Sequence, residues 1–380
     1  MIMAVQAQCI WVATMTSPQI GCSKDDLDTP ALCIDLDVLD ANIAAMAGYC
    51  RQHGVDWRPH AKCHKNSTIA KMVVDAGAIG VTCAKVGEAE VMAAGGVTDL
   101  LIANQIVGAK KLERLIKLRQ IADPIACVDS VEQAEPLAQA MSGAGLEIRV
   151  IIEVNIGMDR AGTTLGQPTV DLAQKLAEMP GLRFSGVMGY EGHLLTIEDP
   201  EEKVAKIHAA LDELLKTKEL VEQAGIACPI VSCGGTGSYR ISATHKGITE
   251  LQAGGAIFMD LFYRNCCQLP ELGYAMKVLT TVVSRPAPNR AIIDAGRKTL
   301  NQEQHKPGVA DRPDISVQNL SAEHGTLLLE PGADRLSIGD RLELIPGYVD
   351  FTTVFHNEFF CFRNGRLETI LPIEARGKVQ

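Results

Sequence analysis

The sequence predicts a (β/α)8 TIM-type barrel over residues 28–270 followed by an all-β domain over residues 271–380, on three observations. Short apolar runs alternate with amphipathic helical stretches about eight times, the count and spacing such a barrel needs. After Asp260 the helical stretches stop and strand-like runs follow one another directly. The 380 residues, 47% hydrophobic, are enough to give each domain its own core.

Residues 1–27 read as an untethered N-terminal extension. Met1 to Cys22 is mildly apolar, but it has no basic leading region and polar residues interrupt it short of a membrane-spanning length. Neither a secretory signal nor a membrane anchor is expected. Thr29-Pro30 breaks the chain before a strand at Ala31 to Leu36 and a helix that runs through Ile43, Met46 and Tyr49 to Gly54. The barrel rhythm starts with Val55 to Trp57. It continues at Ile79 to Cys83, Leu100 to Ala103, Ile125 to Asp129, Ile148 to Val154, Phe184 to Tyr190, Pro229 to Ser232 and Thr249 to Gln252. Asp199-Pro200-Glu201-Glu202 opens the clearest helix, with an Asp N-cap and Pro at the first helical position; Val204, Ile207, Leu211, Leu214 and Leu215 supply its stripe. In the second domain, strands are expected at Lys277 to Ser284, Ala291 to Asp294, Thr326 to Leu329, Arg341 to Ile345, Glu358 to Phe362 and Arg366 to Leu371. Asn364-Gly365 forms the hairpin turn between the last two.

A net charge of −10 and a pI near 5.4 argue against nucleic acid or an anionic membrane as partner and leave small molecules. The twelve cysteines are scattered without CxxC spacing, so reduced thiols and a cytoplasmic location are expected.

The chemistry centres on Arg58-Pro59-His60-Ala61-Lys62-Cys63-His64-Lys65. A strand continued through it places Arg58, His60, Lys62 and His64 on one face. Burying such a row of cations is costly, so the row reads either as the mouth of a site or as a solvated basic edge. At a site mouth, crowding depresses the pKa of Lys62, and a neutral amine is what condenses with an aldehyde cofactor. At the ends of later strands stand Arg160, then Tyr190, Glu191 and His193, then the glycine-rich turn Gly234-Gly235-Thr236-Gly237-Ser238, and finally Gly254-Gly255. Glycine turns after the seventh and eighth strands are where barrels bind phosphate. An activated lysine on the first strand and a phosphate site on the last two describe pyridoxal 5′-phosphate.

The ordered set Arg58-Pro-His-Ala-Lys62-Cys-His-Lys65, Gly234-Gly-Thr-Gly-Ser238, Glu250-Leu-Gln-Ala-Gly254, Phe258-Met-Asp260, Asp294-Ala-Gly296, Glu323-His-Gly325 and Ala375-Arg-Gly377 resembles the D-threonine aldolase and D-serine dehydratase-like family. These are fold-type III pyridoxal phosphate enzymes with an alanine racemase-like barrel. The resemblance spans residues 28 to 378. It implies that Lys62 carries the cofactor as a Schiff base beside His60. Gly235, Thr236, Gly237, Ser238, Gly254 and Gly255 would hold the phosphate, Arg160 would face the phenolic oxygen and Tyr190 would lie near the pyridine nitrogen. It further implies a homodimer whose sites lie between one barrel and the partner's β domain.

One motif departs from the family. Relatives bind a divalent metal through Pro-x-His-x-Asp or Pro-x-His-x-Cys, and the matching stretch here is Pro346-Gly347-Tyr348-Val349-Asp350. With tyrosine for histidine, Asp350 is expected to hold Mn2+, Mg2+ or Zn2+ weakly unless His356 or His193 completes a site. Three readings follow. One is a lyase that cleaves D-3-hydroxy amino acids to glycine and an aldehyde, or dehydrates them, with His193, Glu191 or metal-bound water as base. Another is a racemase or epimerase with Lys62 and Tyr348 as opposed bases. The last is a non-catalytic pyridoxal phosphate carrier, which the size of the second domain disfavours.

Overall fold

The computed structural model describes residues 18–380. Of the expected extension, residues 1–17 lie outside the described residues. Residues 18–27 are not untethered. Gly21 N–H donates to Leu367 O (2.8 Å) and Leu367 N–H to Cys22 O (2.9 Å), a 3-10 turn forms at Lys24–Asp26, and Leu27 is buried.

Strand β1 (Ala31–Asp35) leads into the helix Leu36–His53. The Asp35 carboxylate accepts the backbone N–H groups of Asp37 and Val38, and Gly54 in the left-handed region (φ 66°) ends the helix. Eight parallel strands then form the barrel: β2 (Asp56–Trp57), β3 (Val81–Cys83), β4 (Asp99–Gln105), β5 (Asp123–Val128), β6 (Ile148–Glu153), β7 (Leu182–Met188), β8 (Ile230–Cys233) and β9 (Glu250–Leu251). Each lies beside the next in sequence, β9 pairs with β2, and a parallel bridge from His60 to Thr82 joins the end of β2 to β3. All eight expected strands are present. Their nearly continuous apolar runs, such as Ile148 to Ile152, suit strands covered on both faces. The helix Pro200–Gln223 begins as its cap predicts, with the Asp199 side chain accepting Glu202 N–H at 2.8 Å, and it buries Ile207, Leu211, Leu214 and Val221.

The second domain is built from β10 (Met276–Ala287), β11 (Arg290–Ile293), β12 (Gly308–Val309), β13 (Ile315–Leu320), β14 (Gly325–Leu329), β15 (Arg341–Ile345), β16 (Glu358–Arg363) and β17 (Arg366–Pro372). Its sheet runs β13-β14-β11-β10-β1-β16-β17, with β15 also on β10 and β12 on β15. The first strand of the chain therefore sits in the second sheet, antiparallel to β10 and parallel to β16, although it lies within residues 28–270 read as barrel. Strand followed by helix imitates a barrel unit, which is why the sequence pattern conceals it. Sequence reading missed β12 and β13. In β13 a register shift between Val317 and Asn319 breaks the alternation that marks a strand. Asn364 and Gly365 have φ of 48° and 73°, the positive values a type I′ hairpin turn needs.

Between β15 and β16 stands the short helix Val349–Thr353. The Thr353 hydroxyl donates to Cys63 O at 2.7 Å, which docks this part of the β domain on the turn that carries Lys62. Among the described residues no helix is long and apolar enough to cross a membrane.

Candidate active site

The first strand ends at Trp57, and the chain turns into a 3-10 helix at Ala61–Cys63, capped by His60, whose Nδ1 accepts Lys62 N–H at 3.3 Å. That turn breaks the two-residue period, so the expected row of cations does not form. Arg58 lies inside the barrel, 1% exposed, with Nε donating to Glu250 Oε2 (2.8 Å) and Nη1 to Asp99 Oδ1 (2.9 Å). Lys65 is buried against Glu88 at 2.7 Å. His64 is buried, its Nδ1 accepts Asn66 N–H, and burial drives its pKa down to about 3. Only His60 and Lys62 of the motif reach the cavity described next. Each remaining charge is matched by a carboxylate or suppressed, which is how a basic motif comes to lie in a core.

A cavity of about 410 Å³ opens at the carboxyl ends of the barrel strands. Lys62, His60, Gly235, Thr236, Gly254, Gly255, Arg160 and Tyr190 all line it, and Gly254 packs directly against the His60 backbone. Six of the glycine-turn residues were expected here and four line the cavity. Gly237 instead faces Cys267 and Leu195, where a Cβ would come within 2.9 Å of either, and the Ser238 hydroxyl turns back to accept Gly235 N–H at 3.1 Å. The two turns are tied together by Thr236, whose hydroxyl accepts Ala256 N–H at 3.0 Å. Close approach explains the glycines: a Cβ on Gly235 would lie 2.9 Å from the Tyr190 ring, and one on Gly255 would lie 2.8 Å from Tyr263. The arrangement brings the two glycine turns and a lysine amine to one concave surface.

The Lys62 amine is 3.3 Å from Asp350 Oδ2, and the same oxygen accepts the Tyr348 hydroxyl at 3.1 Å. Burial pulls the Lys62 pKa down, but Asp350 and Tyr190 push harder, and the net shift is upward. The expected depression is therefore corrected. The cations invoked to cause it are neutralised elsewhere, and Lys62 has a carboxylate of its own. His60 titrates well below the usual imidazole range, through burial and then the charges of Lys62 and Lys65, so it is a neutral ring. Burial pushes the Tyr190 phenol up to about 12 despite Lys62. The Arg160 guanidinium lies 5.9 Å from the Tyr190 ring centre and pairs with Glu153 at 3.3 Å.

Of the two side chains suggested as bases, neither faces this cavity. His193 is exposed and packs beside Gly157. Glu191 is fully buried, accepts the Ser242 hydroxyl and Gly234 N–H, and so braces the glycine turn. Sequence reading missed Tyr263, Gln105 and Glu153, which line the cavity; Gln105 Nε2 donates to Glu153 at 2.7 Å. Tyr263 sits on a π-helical turn at Phe262–Cys266 two residues beyond the Asp260 motif, and neither periodicity nor propensity marks such a turn.

Asp260 ties this turn to the β domain, accepting Tyr263 N–H and Val349 N–H at 2.9 Å each. Burial raises its pKa to about 8, against the pull of those N–H donors. A carboxyl that binds its proton more tightly when folded stabilises most below its unfolded pKa near 3.8, and that contribution is lost as pH rises toward 8. An Asp260→Asn variant should accordingly remove a downward slope in stability of at most about 1.4 kcal/mol per pH unit. The check is the wild-type minus variant difference in Tm across that range; a difference independent of pH would contradict the prediction.

The donor set does not fit a divalent metal. Among the described residues no three His, Cys, Asp or Glu side chains are grouped to hold one. The His356 ring nitrogen Nε2 is engaged with Thr299 O at 3.0 Å, and His193 lies elsewhere. Tyr348 is held as a neutral phenol, its pKa driven upward by burial and by Asp350, while Lys62 already supplies a cation to that carboxylate. Pyridoxal phosphate does fit. A lysine amine and the two glycine turns line one cavity, together with Arg160 and Tyr190.

This geometry agrees with the chain's relatives. Residues 34–261 match the family described as alanine racemase, N-terminal domain, and residues 275–362 the putative serine dehydratase domain. A D-threonine aldolase of Arthrobacter sp. is 37% identical over 353 residues, which is 92% of this chain and 93% of that protein. The chain belongs to the D-threonine aldolase family. A family member from Paracoccus denitrificans, a 3-hydroxy-D-aspartate aldolase, is 34% identical over 94% of both chains. The crystal structure of D-threonine aldolase from Filomicrobium marinum superposes with a TM-score of 0.93 at 37% identity, covering 96% of this chain and 100% of that one. The chain is thus a lyase of the aldolase type, with the alanine racemase-like barrel and C-terminal β domain of its family.

Proposed function

We propose that the enzyme cleaves neutral D-3-hydroxy amino acids, of which D-threonine is the simplest test, to glycine and an aldehyde. The observation that supports this most is that Lys62 and the paired glycine turns line one cavity. Pyridoxal 5′-phosphate supplies an electron sink for the pair left on the substrate Cα when the Cα–Cβ bond breaks. Lys62 anchors it and returns a proton to that carbon. Gly235, Thr236, Gly254 and Gly255 would hold the phosphate, and Thr236 keeps the two turns in register. Arg160 and Tyr190 would hold the cofactor ring, and a neutral Tyr190 phenol beside the pyridine nitrogen would leave that nitrogen unprotonated and restrain the delocalisation.

The two named relatives differ in the substrate side chain, and the cavity favours the uncharged one. Its cations are Lys62, Arg160 paired with Glu153, and a His60 kept neutral, so none is spare for a distal carboxylate among the described residues. The racemase reading has no support, since the tyrosine it needs as a base is a neutral donor to Asp350. We also read the enzyme as a cytoplasmic homodimer. The free thiols of the described cysteines are consistent with the first, and Phe351 and Phe355, each 39% exposed beside the site, with the second. The β-domain segment that touches Lys62 is the chain's own, so a partner would add to this site and not supply that segment.

The test is to incubate the purified holoenzyme with D-threonine, L-threonine and 3-hydroxy-D-aspartate and identify the products by mass. Glycine with acetaldehyde from the D isomer, at a kcat/KM at least about tenfold above that for the acidic substrate, is the expected result. Formation of 2-oxobutanoate and ammonia would make it a dehydratase, an epimerised product a racemase, and no turnover would sink the reading.

A further inference from the structure

We propose, building on the lyase reading, that Asp350 itself takes the proton of the substrate β-hydroxyl and that Tyr348 occupies the place of a divalent ion, so that the enzyme works without metal. Asp350 Oδ2 holds Lys62 Nζ and the Tyr348 hydroxyl, whereas Oδ1 is buried and among the described residues has no hydrogen-bond partner. An unpaired carboxylate oxygen beside the cofactor lysine calls for a donor, and a substrate hydroxyl is one. The reach is set by covalent structure. In a 3-hydroxy amino acid the amine nitrogen and the β-oxygen stand on adjacent carbons, so a carboxylate within contact of the place where nitrogen is bound also reaches that oxygen. Asp350 is fixed there through its neighbour, since Val349 N–H is held by Asp260 at 2.9 Å.

Tyr348 is built in as a side chain and not as a vacant ligand position. Its ring packs against Phe351, Phe262 and Tyr263, with centroids 5.1, 5.7 and 5.8 Å away, and among the described residues no three His, Cys, Asp or Glu side chains are grouped there to hold an ion. Aromatic packing fills the space a hydrated ion needs, and the phenol donates to the oxygen such an ion would share. The step balances as follows. The β-hydroxyl proton passes to Asp350 Oδ1, the O–H electron pair becomes the second bond of the aldehyde carbonyl, and the Cα–Cβ bond breaks with its pair left on Cα. Lys62 then protonates Cα to give glycine. Asp350 is the catalytic residue in this assignment, and Tyr348 positions it.

The experiment uses the full-length holoenzyme and two independent readouts. Mn2+ binding measured by calorimetry, with elemental analysis of the purified protein, should show no site of micromolar affinity, and D-threonine cleavage should change by less than about twofold in chelator. Tyr348→His should gain Mn2+ binding. Stoichiometric metal, or activity lost in chelator and restored by Mn2+, overturns the proposal, as does a Tyr348→His variant that still excludes Mn2+. For the base, Asp350→Asn should lower aldol cleavage about a hundredfold or more. It should slow exchange of the glycine α-proton, followed in D2O, at least about tenfold less than it slows cleavage, because exchange involves no β-hydroxyl and loses only the effect of Asp350 on Lys62. Parallel loss of both reactions would make Asp350 structural and overturn its assignment. Absence of cleavage in the parent with exchange intact would fail the lyase reading alone, and the metal measurement would still decide its own question.

Discussion

A Lys62→Ala variant is expected to lose D-threonine cleavage by roughly 10⁴-fold or more, the scale seen when a covalent catalytic group is removed. It should also lose the borohydride-reducible visible chromophore. The expectation rests on position. Lys62 is the lysine of the motif that lines the cavity with the glycine turns, and the other, Lys65, is buried on Glu88. The loss should not come from unfolding. Lys62 lies in a single turn whose backbone is held by His60 and docked through Cys63 O to Thr353, contacts that alanine keeps. The checks are the absorbance spectrum before and after borohydride, intact mass, and a thermal melt. Retention of a reducible adduct in this variant would move the covalent anchor to another lysine, and retention of activity would remove covalent attachment from the mechanism.

The barrel was legible because each of its strands is a short apolar run between helical patterns, and that rhythm survives in one sequence without any knowledge of contacts. The family resemblance located Lys62 and the glycine turns for the same reason: they are local motifs whose backbone demands fix the residue types. What stayed hidden are properties of juxtaposition. The period-two reading put Arg58 beside Lys62 because nothing local signals that the chain leaves the strand into a 3-10 turn at His60. With Arg58 placed wrongly, the charge around Lys62 was misjudged, and its pKa with it. The strand at Ala31–Asp35 was legible, but its place in the second sheet was hidden because its partners, β10 and β16, lie more than two hundred residues away in the chain. The change at Tyr348 was visible as a departure from a motif, but its meaning depends on the aromatic rings and the Asp350 carboxylate around it, which only the fold brings together.

Arg58→Met is expected to destabilise the protein by about 3–5 kcal/mol, the cost of leaving a buried carboxylate without its partner. Asp99 keeps Arg149 when the guanidinium is gone and is partly exposed, so the penalty falls on Glu250, which is 3% exposed and retains the Ser232 hydroxyl at 2.7 Å as donor. The origin of the loss can be separated by the double variant Arg58→Met, Glu250→Leu. If the penalty comes from an orphaned charge, removing the second partner should recover most of it, whereas a packing defect at Arg58 would persist or worsen. Chemical denaturation of the four proteins of that cycle measures it. The cycle also bears on function. The backbone of Arg58 spans the barrel seam, its N–H donating to Leu251 O at 2.9 Å and its carbonyl accepting the Thr82 hydroxyl at 3.0 Å, four residues before Lys62. The buried pair is therefore placed to hold the first and last strands together at the point from which the lysine and the second glycine turn project. If that is its role, the single variant should bind pyridoxal phosphate more weakly even where it remains folded, and the double variant should recover stability without fully recovering cofactor affinity, because leucine packs against methionine with no directional bond to set the register of the seam.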